Sequence, residues 1–587
     1  MELGVGAENL FDLFLGRCHA TPHAPAYRQF VNETADVTSL SRGPRLNPVG
    51  DAWVDVTWAE VARQVSRYRA ALAREGLQPG ERVALCLRNR VEWVCFDQAA
   101  ASLGLVTVPL YFDDRPDNMA YCLNDAGCKL LLLENAALWP ALRTQVQSLA
   151  RVVCLEHVVD ADPRVIRLAD WLPTQGGELV RAQARPDELA TLVYTSGTTG
   201  RPKGVMLSHR NILSNVAASL KAIPVYPSDR FLSFLPLSHM FERTCGYYLA
   251  IQAGAQTVYA RSISLLAEDL RVQRPSVLIA VPRIFERIHA RMQENLPPGS
   301  FRRRLFERAV DIGWKRFRRQ ASFLERLFWP LFKLLVANKL KRRLGGRLRL
   351  IVVGGAAFAP EHARVFVGLG LPIIQGYGMT ESGPVIACNR ATDNDPLSVG
   401  RALEGVALRL GESDELLARG PGVMLGYWNN AEATHAAVDA DGWLHTGDRA
   451  RIENGRVYIT GRLKDIIVLS NGEKVSPADA EAAILRDAIF EQVMLVGEGR
   501  PKLGLLCVSR VSDEAELCTR ANAQLHDFPG YARICHIARL ETPWSVEDGQ
   551  LTPTLKLKRN EISRRHAADI ERMYATSEVC CPGKAGS

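Results

Sequence analysis

The chain has 587 residues, of which 47% are hydrophobic and 23% are charged, and it carries a formal net charge of +8. This length excludes a single hydrophobic core and predicts several domain-sized units, while the composition is that of a soluble globular protein. The first eight residues lack a basic segment followed by an apolar run, so we expect no signal peptide. An unaided membrane span is also excluded, because the most apolar helical window, residues 323–340, contains charged side chains and Pro330.

Strand and helix patterns alternate along most of the chain. The apolar run 82–87 is predicted as a buried strand, followed by a helix over 91–103 and a strand over 106–110. Alternation of this kind predicts an α/β fold with parallel sheets covered by helices, in which ligands bind at the carboxyl ends of the strands. Further buried strands are predicted at 129–133, 276–280 and 348–353.

The predicted elements become shorter after Gly461. Strands are expected near residues 466–469, 493–496 and 503–508, and turn-rich sequence precedes them. This part of the chain is therefore predicted to form a small α+β domain.

A loop rich in glycine and hydroxyl side chains follows the apolar residues 192–193. Its glycines allow left-handed backbone conformations, so that successive N–H groups can converge on an anion. The spacing is not that of a Walker A loop, since Gly204 directly follows Lys203. A surface turn is the alternative, but the density of donors favours phosphate binding. The candidate phosphate ligands are Thr195, Ser196, Gly197, Thr198, Thr199, Gly200 and Lys203.

Five more motifs follow this loop in a fixed order. They are Gly-Tyr-Gly-Met-Thr-Glu-Ser (376–382), His-Thr-Gly-Asp (445–448), Gly-Arg-Leu-Lys-Asp (461–465), Asn-Gly-Glu-Lys-Val (471–475) and Leu-Thr-Pro-Thr-Leu-Lys-Leu-Lys-Arg (551–559). Together the six resemble the motifs of the adenylate-forming (AMP-binding) superfamily, and in particular those of bacterial long-chain fatty acyl-CoA synthetases. The resemblance covers about residues 50–560.

The resemblance implies two domains. Residues 1–461 would form a large N-terminal domain of stacked, parallel-rich sheets covered by helices, with the acyl tunnel, the ATP site and a basic helical insert at about 300–349. Residues 462–587 would form a small, mobile α+β domain that carries the catalytic lysine.

The resemblance also implies a reaction in two halves, with ATP and Mg²⁺ as cofactors and coenzyme A as co-substrate. A fatty carboxylate attacks the α-phosphate of ATP to give acyl-AMP and pyrophosphate, and a thiol then displaces AMP. Such chemistry depends on positioning and charge neutralisation more than on a protein nucleophile. A long-chain fatty acid:CoA ligase is the predicted function.

The nucleotide roles follow from the motifs. Thr380 would bond the α-phosphate and Glu381 would place Mg²⁺, although a Thr-Glu pair is otherwise a common helix-capping element. Asp448 and Arg462 would bond the ribose, with a buried structural ion pair as the alternative. Tyr377 would stack on adenine. The remaining residues assigned to the nucleotide are Gly355, Ala356 and Ala357 as the facing wall, and Gly376 and Gly378 beside the tyrosine.

Lys556 is the predicted catalytic lysine. It would reach the α-phosphate and the carboxylate in the first half-reaction. Lys558 and Arg559 are close competitors, but the lysine of the family is followed by x-x-Arg, and Arg559 supplies that arginine. Leu555 departs from the glycine that many members have before the lysine.

The second half-reaction would need Lys556 to leave, because CoA must reach the acyl carbonyl. The resemblance implies a rotation of the C-terminal domain about Lys464 as the hinge. This rotation would bring the loop of Gly472, Glu473 and Lys474 to the thiol channel.

The acyl substrate is indicated by the segment Leu-Pro-Leu-Ser-His-Met-Phe-Glu-Arg (235–243), which resembles the acyl-pocket motif of long-chain synthetases. His239 would line the carboxylate end of an apolar tunnel and is a candidate catalytic residue, with a satisfied core histidine as the alternative. An apolar tunnel rewards each buried CH₂ by about 0.8 kcal/mol, so a long-chain acid is favoured over acetate or an aryl acid.

The segment 302–349 is strongly basic. It contains sixteen Lys or Arg residues against Glu307, Asp311 and Glu325, an excess of +13 in a chain whose remainder sums to −5. The charges alternate with apolar residues as in a basic amphipathic helix, which indicates an anionic membrane surface. A helical hairpin with a solvated basic face is the alternative, and no nucleic-acid recognition motif accompanies the charge. We expect a cytoplasmic protein, with peripheral attachment to the inner face of the cell membrane as a further hypothesis.

Three other functions compete with this prediction. A fatty acyl-AMP ligase would share the nucleotide motifs but pass the acyl group to a carrier protein, and no carrier domain is fused here. A luciferase-like oxygenase is a weaker alternative. A catalytically inactive lipid-surface scaffold would have lost motif residues, all of which are present.

Overall fold

A computed structural model gives the structure of the chain. It describes residues 7–31, 52–155, 162–195, 201–297, 299–463, 467–471, 473–552 and 556–576. Five predicted site residues in the glycine-rich loop (Ser196, Gly197, Thr198, Thr199 and Gly200), the hinge Lys464 and Gly472 lie outside these residues.

The strands are short and are distributed along the whole chain. They are β1 (Pro25–Val31), β2 (Ala52–Thr57), β3 (Arg82–Cys86), β4 (Val106–Pro109), β5 (Leu130–Leu133), β6 (Arg151–Cys154), β7 (Val165–Arg167), β8 (Leu189–Thr195), β9 (Lys203–Ser208), β10 (Arg230–Ser233), β11 (Gln256–Tyr259), β12 (Val277–Ala280), β13 (Leu350–Val353), β14 (Ile373–Gly378), β15 (Val385–Cys388), β16 (Arg401–Ala402), β17 (Ala407–Leu410), β18 (Glu415–Arg419), β19 (Gly426–Tyr427), β20 (Leu444–Glu453), β21 (Arg456–Arg462), β22 (Ile467–Val468), β23 (Lys474–Val475), β24 (Phe490–Val496), β25 (Leu503–Ser509) and β26 (Ile534–Leu540).

The α-helices alternate with these strands. They are α1 (Leu10–Ala20), α2 (Trp58–Arg74), α3 (Val91–Ser102), α4 (Pro116–Ala126), α5 (Trp139–Leu142), α6 (Leu168–Trp171), α7 (His209–Ala222), α8 (Met240–Glu242), α9 (Leu249–Ala253), α10 (Leu266–Gln273), α11 (Pro282–Glu294), α12 (Phe301–Phe317), α13 (Phe323–Phe332), α14 (Asn338–Arg343), α15 (Pro360–Gly368), α16 (Ala431–Ala437), α17 (Pro477–Ile484), α18 (Glu514–Gln524), α19 (Arg559–Arg565) and α20 (Ala567–Ala575).

Two large sheets organise the first part of the chain. Within the described residues, one sheet has the strand order β16-β15-β14-β13-β12-β10-β11-β1-β2, and the other has the order β19-β9-β8-β4-β3-β5-β6-β7. Their central strands run parallel, and antiparallel pairs occur toward the edges. The predicted α/β class with parallel-rich sheets is confirmed.

The sheets are stacked with helices between and outside them. Along β13, Leu350 and Val352 join the core shared by both sheets and helices α1, α2, α3, α7 and α9. Ile351 and Val353 face the opposite side, against helices that include α10, α12, α14 and α15. Because successive side chains of a strand point to opposite faces, a strand buried on both faces must be apolar throughout. This requirement accounts for the continuous apolar runs seen in the sequence.

The last part of the chain forms smaller sheets. Strands β17, β18, β20 and β21 form an antiparallel sheet. Beyond it, β22 pairs with β23, and β24, β25 and β26 form a mixed sheet with its own apolar core against α17 and α18. The α+β character predicted after Gly461 is confirmed, while the domain boundary between residues 461 and 462 stays a prediction.

The basic segment forms a packed set of helices rather than one amphipathic helix. Helices α12 and α13 pack against each other, and a π-helical turn, Lys333–Ala337, joins α13 to α14. The exposed face of α13 is mostly apolar, because this helix has more apolar side chains than its one buried face can cover. Exposed basic side chains lie mainly on α12 and α14, so membrane attachment and its alternative, a solvated basic face, both stay predictions. None of the helices in the described ranges is long and apolar enough to cross a membrane.

Candidate active site

A cavity of about 1750 Å³ lies at the carboxyl ends of β13 and β14, between the two parts of the chain. Lys203, His239 and Tyr377 reach it from the first part, and Lys556 reaches it from the second. The structure therefore brings most of the described predicted site residues to one place. Those that line the cavity are Thr195, Lys203, His239, Gly355, Gly376, Tyr377, Gly378, Thr380, Glu381, Arg462 and Lys556.

The other described site residues lie beside or away from this cavity. Ala356 and Ala357 are exposed next to Gly355 and do not line it. Glu473 is exposed and does not line the cavity. Lys474 begins β23, and its side chain lies outside what the structure describes. The predicted roles of the adenine wall and the CoA loop therefore stay predictions.

Asp448 is a carboxylate held between two donors. The hydroxyl of Tyr377 donates to its Oδ2 at 2.6 Å, and Nε of Arg462 donates to its Oδ1 at 2.9 Å. The pair with Arg462 forms because β20 and β21 place the two residues opposite each other. Arg462 lines the cavity with 55% of its side chain exposed, so this is not a buried structural pair. Burial and the charge of Asp448 raise the pKa of Tyr377, which keeps its hydroxyl protonated as the donor.

Glu381 is held by Tyr427, a residue that the sequence analysis missed. The tyrosine hydroxyl donates to Oε1 of Glu381 at 2.8 Å, and Nζ of Lys203 lies 5.1 Å from the centroid of the same ring. Tyr427 is placed by pairing of β19 with β9, which begins at Lys203. Glu381 therefore does not cap its own turn, Thr380–Ser382, and its carboxylate is presented to the cavity beside the predicted phosphate loop.

Two buried asparagines on α7 tie the loops around Glu381 together. Asn211 donates to the carbonyl oxygens of Pro421 and Val423, each at 2.8 Å. One turn later, Asn215 donates to the carbonyl oxygens of Ser382 and Val385. Buried amide groups must find partners, so each asparagine fixes the backbone it bonds. Their four-residue spacing on the helix that follows the glycine-rich loop was the signal available in the sequence.

Glu415 holds the His-Thr-Gly-Asp motif in place. Its two carboxylate oxygens accept from the backbone N–H of Gly447 and contact Nδ1 of His445, both at 2.9 Å. Thr446 donates to the carbonyl of Leu416 at 2.7 Å and accepts from the N–H of Asp448. The backbone that precedes Asp448 is therefore held in place by hydrogen bonds to Glu415 and Leu416 of β18, the strand that pairs with β20.

His239 lies between the part of the cavity lined by Tyr377, Thr380 and Glu381 and a second part lined by apolar side chains, which we call the apolar arm. Its Nδ1 accepts from the N–H of Phe241 at 3.2 Å, so the neutral ring carries its proton on Nε2. Burial, with a smaller contribution from the charge of Lys556, lowers the pKa of His239 to about 4. Asn89, which also escaped the sequence analysis, fixes this loop by accepting from the N–H of Leu237 and donating to the carbonyl of Leu235.

The apolar arm runs along the inner face of the larger sheet. Val277 and Ile279 of β12 and Leu350 and Val352 of β13 alternate to face it. From Leu350 to Gly354 the strand advances about 13 Å, at roughly 3.3 Å per residue. At the Gly354 end of the arm, which we call the neck, a Cβ on Gly354 would lie 3.0 Å from the ring of Phe241, so this part of the cavity is narrow. Phe231, Cys245, Leu249, Val385 and Cys388 complete the wall, and Ser219, Ile223 and Val225 lie toward the far end.

The Glu-Arg pair that ends the acyl-pocket motif supports the fold behind the arm. Arg243 is buried, forms an ion pair with Asp97 and donates to Thr107 and Thr191. Glu242 is also buried, which raises the pKa of its carboxyl to about 8. Neither side chain lines the cavity.

Lys556 comes from the second part of the chain and faces the cavity. Desolvation by the surrounding protein, followed by the charge of Arg462, lowers its pKa to about 8, and Asp448 and Glu381 act in the opposite direction. Its side chain still has access to solvent through the open cleft. Arg559, a competitor in the sequence, also lines the cavity, but it forms an ion pair with Glu481 and donates to the carbonyl of Leu495. Lys558 also lines the cavity and stays a competitor.

The donor set around Glu381 fits Mg²⁺. Within the parts of the chain that the structure describes, no group of three or more His, Cys, Asp or Glu side chains could hold a metal ion. Mg²⁺ in phosphate-binding sites is commonly held by one or two carboxylates together with substrate phosphates and water. A single carboxylate in a cavity that Lys203 also lines is compatible with that mode, and Glu381 would be its protein ligand.

The two-part α/β fold, with a cavity that a lysine of the second part reaches, is that of an adenylate-forming ligase. Residues 27–428 match the family model of the AMP-binding enzymes, and residues 464–578 match that of the AMP-binding enzyme C-terminal domain. The chain therefore belongs to the AMP-binding enzyme family.

Curated relatives match over nearly the whole chain. A long-chain-fatty-acid–CoA ligase, FadD15 of Mycobacterium bovis, is 31% identical over 90% of this chain and 93% of its own. The peroxisomal long chain acyl-CoA synthetase 6 of Arabidopsis thaliana is 29% identical over 93% of this chain and 85% of its own. A chloroplastic long-chain-fatty-acid–[acyl-carrier-protein] ligase, AEE15 of Arabidopsis thaliana, is 24% identical over 90% of this chain and 84% of its own.

Solved structures share the fold at lower identity. The anthranilate CoA ligase AuaEII in complex with anthranoyl-AMP superposes with a TM-score of 0.73 at 20% identity, covering 96% of this chain and 98% of that one. The adenylation domain of a carboxylic acid reductase from Segniliparus rugosus, in complex with AMP and a carboxylic acid, gives a TM-score of 0.74 at 21% identity, covering 97% and 94%.

Proposed function

We propose that the chain is an ATP-dependent long-chain fatty acid:CoA ligase that works through an acyl-AMP intermediate. The observation that carries the proposal is the position of His239, at the neck between an apolar arm and a nucleotide site that Lys556 faces. The names of FadD15 and of acyl-CoA synthetase 6 support a long-chain acid and CoA, whereas the name of AEE15 supports a long-chain acid with a carrier protein as acceptor. Attachment to an anionic membrane stays a separate proposal, carried by the basic segment.

In the first half-reaction, an oxygen of the fatty carboxylate attacks the α-phosphorus, and the bond to pyrophosphate breaks. Lys556, as an ammonium ion, would stabilise the charge on the α-phosphate and orient the carboxylate. The Nε2–H of His239 would donate to the carboxylate at the neck. Asp448 has further lone pairs on its bonded oxygens, with which it would accept the ribose hydroxyls.

The phosphates would lie on the Lys203 side of the cavity. Mg²⁺ bound by Glu381 would neutralise phosphate charge as the pyrophosphate leaves. Tyr427 holds Glu381 through its hydroxyl, which would keep the carboxylate aimed at that side.

In the second half-reaction, the sulfur of CoA attacks the acyl carbon, the carbon–oxygen bond to AMP breaks and the thiol proton is released. Lys556, which lines the cavity in the present arrangement, would block the approach of CoA to the acyl group, so the second part of the chain would have to turn away. Rotation about Lys464 would present Glu473 and Lys474 instead.

The experiment is to measure pyrophosphate release with acetate, benzoate, octanoate, palmitate and arachidate, with and without CoA. We expect release to be greatest with the long-chain acids and to become multiple-turnover only with CoA, with acyl-CoA as the product by mass spectrometry. A preference for acetate or benzoate would contradict the substrate class.

The same assay distinguishes the other functions. Acyl-AMP that is consumed by a phosphopantetheine-loaded carrier protein but not by CoA would identify a fatty acyl-AMP ligase. Absence of pyrophosphate with every acid, from a folded protein that binds ATP, would identify the inactive scaffold.

A further inference from the structure

A ridge of apolar side chains stands on the outer face of the basic segment. Six of its members are between 52% and 79% exposed, although each is a leucine or phenylalanine. Of nineteen large apolar side chains that are exposed within the described residues, nine lie between Phe301 and Leu335. The ridge is formed by Phe323, Leu324, Leu327, Phe328, Leu331, Leu334 and Leu335.

The apolar ridge points outward because the opposite face of α13 is closely packed against α12. Trp329, on the inner face of α13, is buried. It packs at Gly313 of α12, where a Cβ would lie 2.8 Å from the Trp329 ring and 1.8 Å from the carbonyl oxygen of Gly368. The start of α13 is fixed by a capping box between Ser322 and Glu325. The opposite face of α13 must therefore point outward.

Basic side chains surround the apolar ridge. Arg326 and Lys333 are exposed along the same helical run, and further exposed cations stand at both of its ends. The segment 302–349 has an excess of +13, while the rest of the chain sums to −5. The cations at the two ends are Arg316, Arg318, Arg319, Lys339, Arg342 and Arg343.

We infer that the apolar ridge lies in the interface of an anionic lipid membrane, with its leucine and phenylalanine side chains among the acyl chains and the surrounding cations on the phosphates. Interfacial helices combine an exposed apolar face with flanking Lys and Arg in this way. A second copy of the chain fits this surface less well, because dimerisation would bring together two segments that each carry an excess charge of +13. Large exposed apolar patches are uncommon on proteins that have no such partner.

The segment that carries the ridge also reaches the far end of the apolar arm. Arg349, its last basic residue, donates to the carbonyl of Pro224 at 3.1 Å and forms an ion pair with Asp229. Pro224 lies between Ile223 and Val225, and Leu350 follows Arg349; all three apolar residues line the arm. Binding of the ridge to a membrane would therefore hold the far end of the apolar arm near the lipid layer, which is the source of the fatty acid.

The test is flotation of the full chain, without ATP, on vesicles of phosphatidylcholine with and without phosphatidylglycerol. Because the assay needs no turnover, its result is independent of the acyl substrate proposed above. We expect binding to the anionic vesicles only, and a steep decline with added salt, since charge is screened over about 8 Å at physiological ionic strength.

Two triple variants separate the apolar and the charged contributions. Leu324→Gln with Leu327→Gln and Leu331→Gln should weaken binding by on the order of 100-fold, through lost apolar contact. Arg326→Gln with Lys333→Gln and Lys339→Gln should weaken it by about 100-fold at low salt, at roughly tenfold for each one to two charges. All six residues are exposed, so the fold should be retained.

A matched control replaces Val180, Ile263 and Leu397 with Gln, since these side chains are 44% to 54% exposed outside the basic segment. This variant should bind vesicles like the unchanged chain. Equal binding to neutral vesicles, or no loss in the ridge variant, would overturn the inference. So would sedimentation as a dimer that the ridge variant dissociates, because the ridge would then be an interface between two copies.

Discussion

Lys556 is surrounded by both signs of charge. Its ammonium group is influenced by Arg462, which disfavours protonation, and by Asp448 and Glu381, which favour it, but desolvation dominates and lowers the pKa to about 8. A lysine with a lowered pKa is protonated below that value and neutral above it. Since its proposed task needs the positive charge, the first half-reaction should depend on pH in the range where cells operate.

We predict that Lys556→Ala loses adenylation by about 10²–10³-fold, the usual loss when one donor to transition-state charge is removed. The variant should still convert supplied acyl-AMP and CoA to thioester, because the lysine has no role in that step. Pyrophosphate release and thioester formation are measured separately. Lys558→Ala is the matched control, and normal adenylation by Lys556→Ala would transfer the role to Lys558.

The pH dependence gives a second, independent prediction. For pyrophosphate formation, kcat/KM should fall as the pH rises through about 8, because this ratio reports the free enzyme, in which Lys556 loses its proton there. Lys556→Arg should remove this limb, since a guanidinium stays charged. A limb that is unchanged in Lys556→Arg would show that another group titrates.

Asp448 and Glu381 should separate nucleotide affinity from chemistry. Asp448→Ala removes two charge-assisted hydrogen bonds to the ribose, so ATP binding should weaken by roughly 2–4 kcal/mol. Glu381→Gln should lower turnover at saturating ATP and raise the Mg²⁺ concentration needed for half-maximal rate. ATP affinity is measured by calorimetry, and unchanged Mg²⁺ dependence in Glu381→Gln would refute its assignment.

At the scale of elements, the apolar arm exists because the side chains along β12 and β13 point alternately to the two faces of the sheet. Val277, Ile279, Leu350 and Val352 face the cavity, while their chain neighbours face the helices on the other side of the sheet. If the arm holds the acyl chain as we propose, every second residue of these two adjacent strands would control the length of the substrate. A substitution at one of these positions changes the room for substrate, and a substitution between them changes the core.

We predict that Ile279→Trp shortens the arm and shifts the preferred acid from palmitate to octanoate. Each CH₂ that no longer fits forfeits about 0.8 kcal/mol of binding. The matched control is Leu278→Trp on the opposite face, which should cost about 1–3 kcal/mol of stability by overpacking without changing the preferred length. Chain-length profiles and thermal unfolding are measured for both. An unchanged profile in Ile279→Trp would place the acyl chain elsewhere.

At the scale of the whole molecule, polar contacts between partly exposed side chains join the second part of the chain to the first. One is the ion pair between Arg486 and Glu361, with Nε and Oε2 3.3 Å apart and both side chains partly exposed. Exposed pairs contribute about 0.2–1 kcal/mol. Such a weak contact would suit the rotation that we propose for the second half-reaction.

Much of this organisation was available from the sequence, including the alternating strands, the α+β character after Gly461 and the grouping of Tyr377, Glu381, Arg462 and Lys556. Each depends on local pattern or on a motif of contiguous residues, which the chain presents directly. Tyr427 and Asn89 could not be assigned, because their partners are distant in sequence and only folding brings them together. Their roles follow from hydrogen bonds that no local pattern encodes.

The sequence by itself determined the class of fold, the family and the amount of charge in the basic segment, because composition, periodicity and short motifs specify these quantities. Only the tertiary structure decided which face of α13 is buried. Its apolar residues exceed what one helix face can bury, so the sequence alone left the outward face undefined. Close packing at Gly313 and Gly368 resolves this by turning Trp329 inward and the leucines of the ridge toward the solvent.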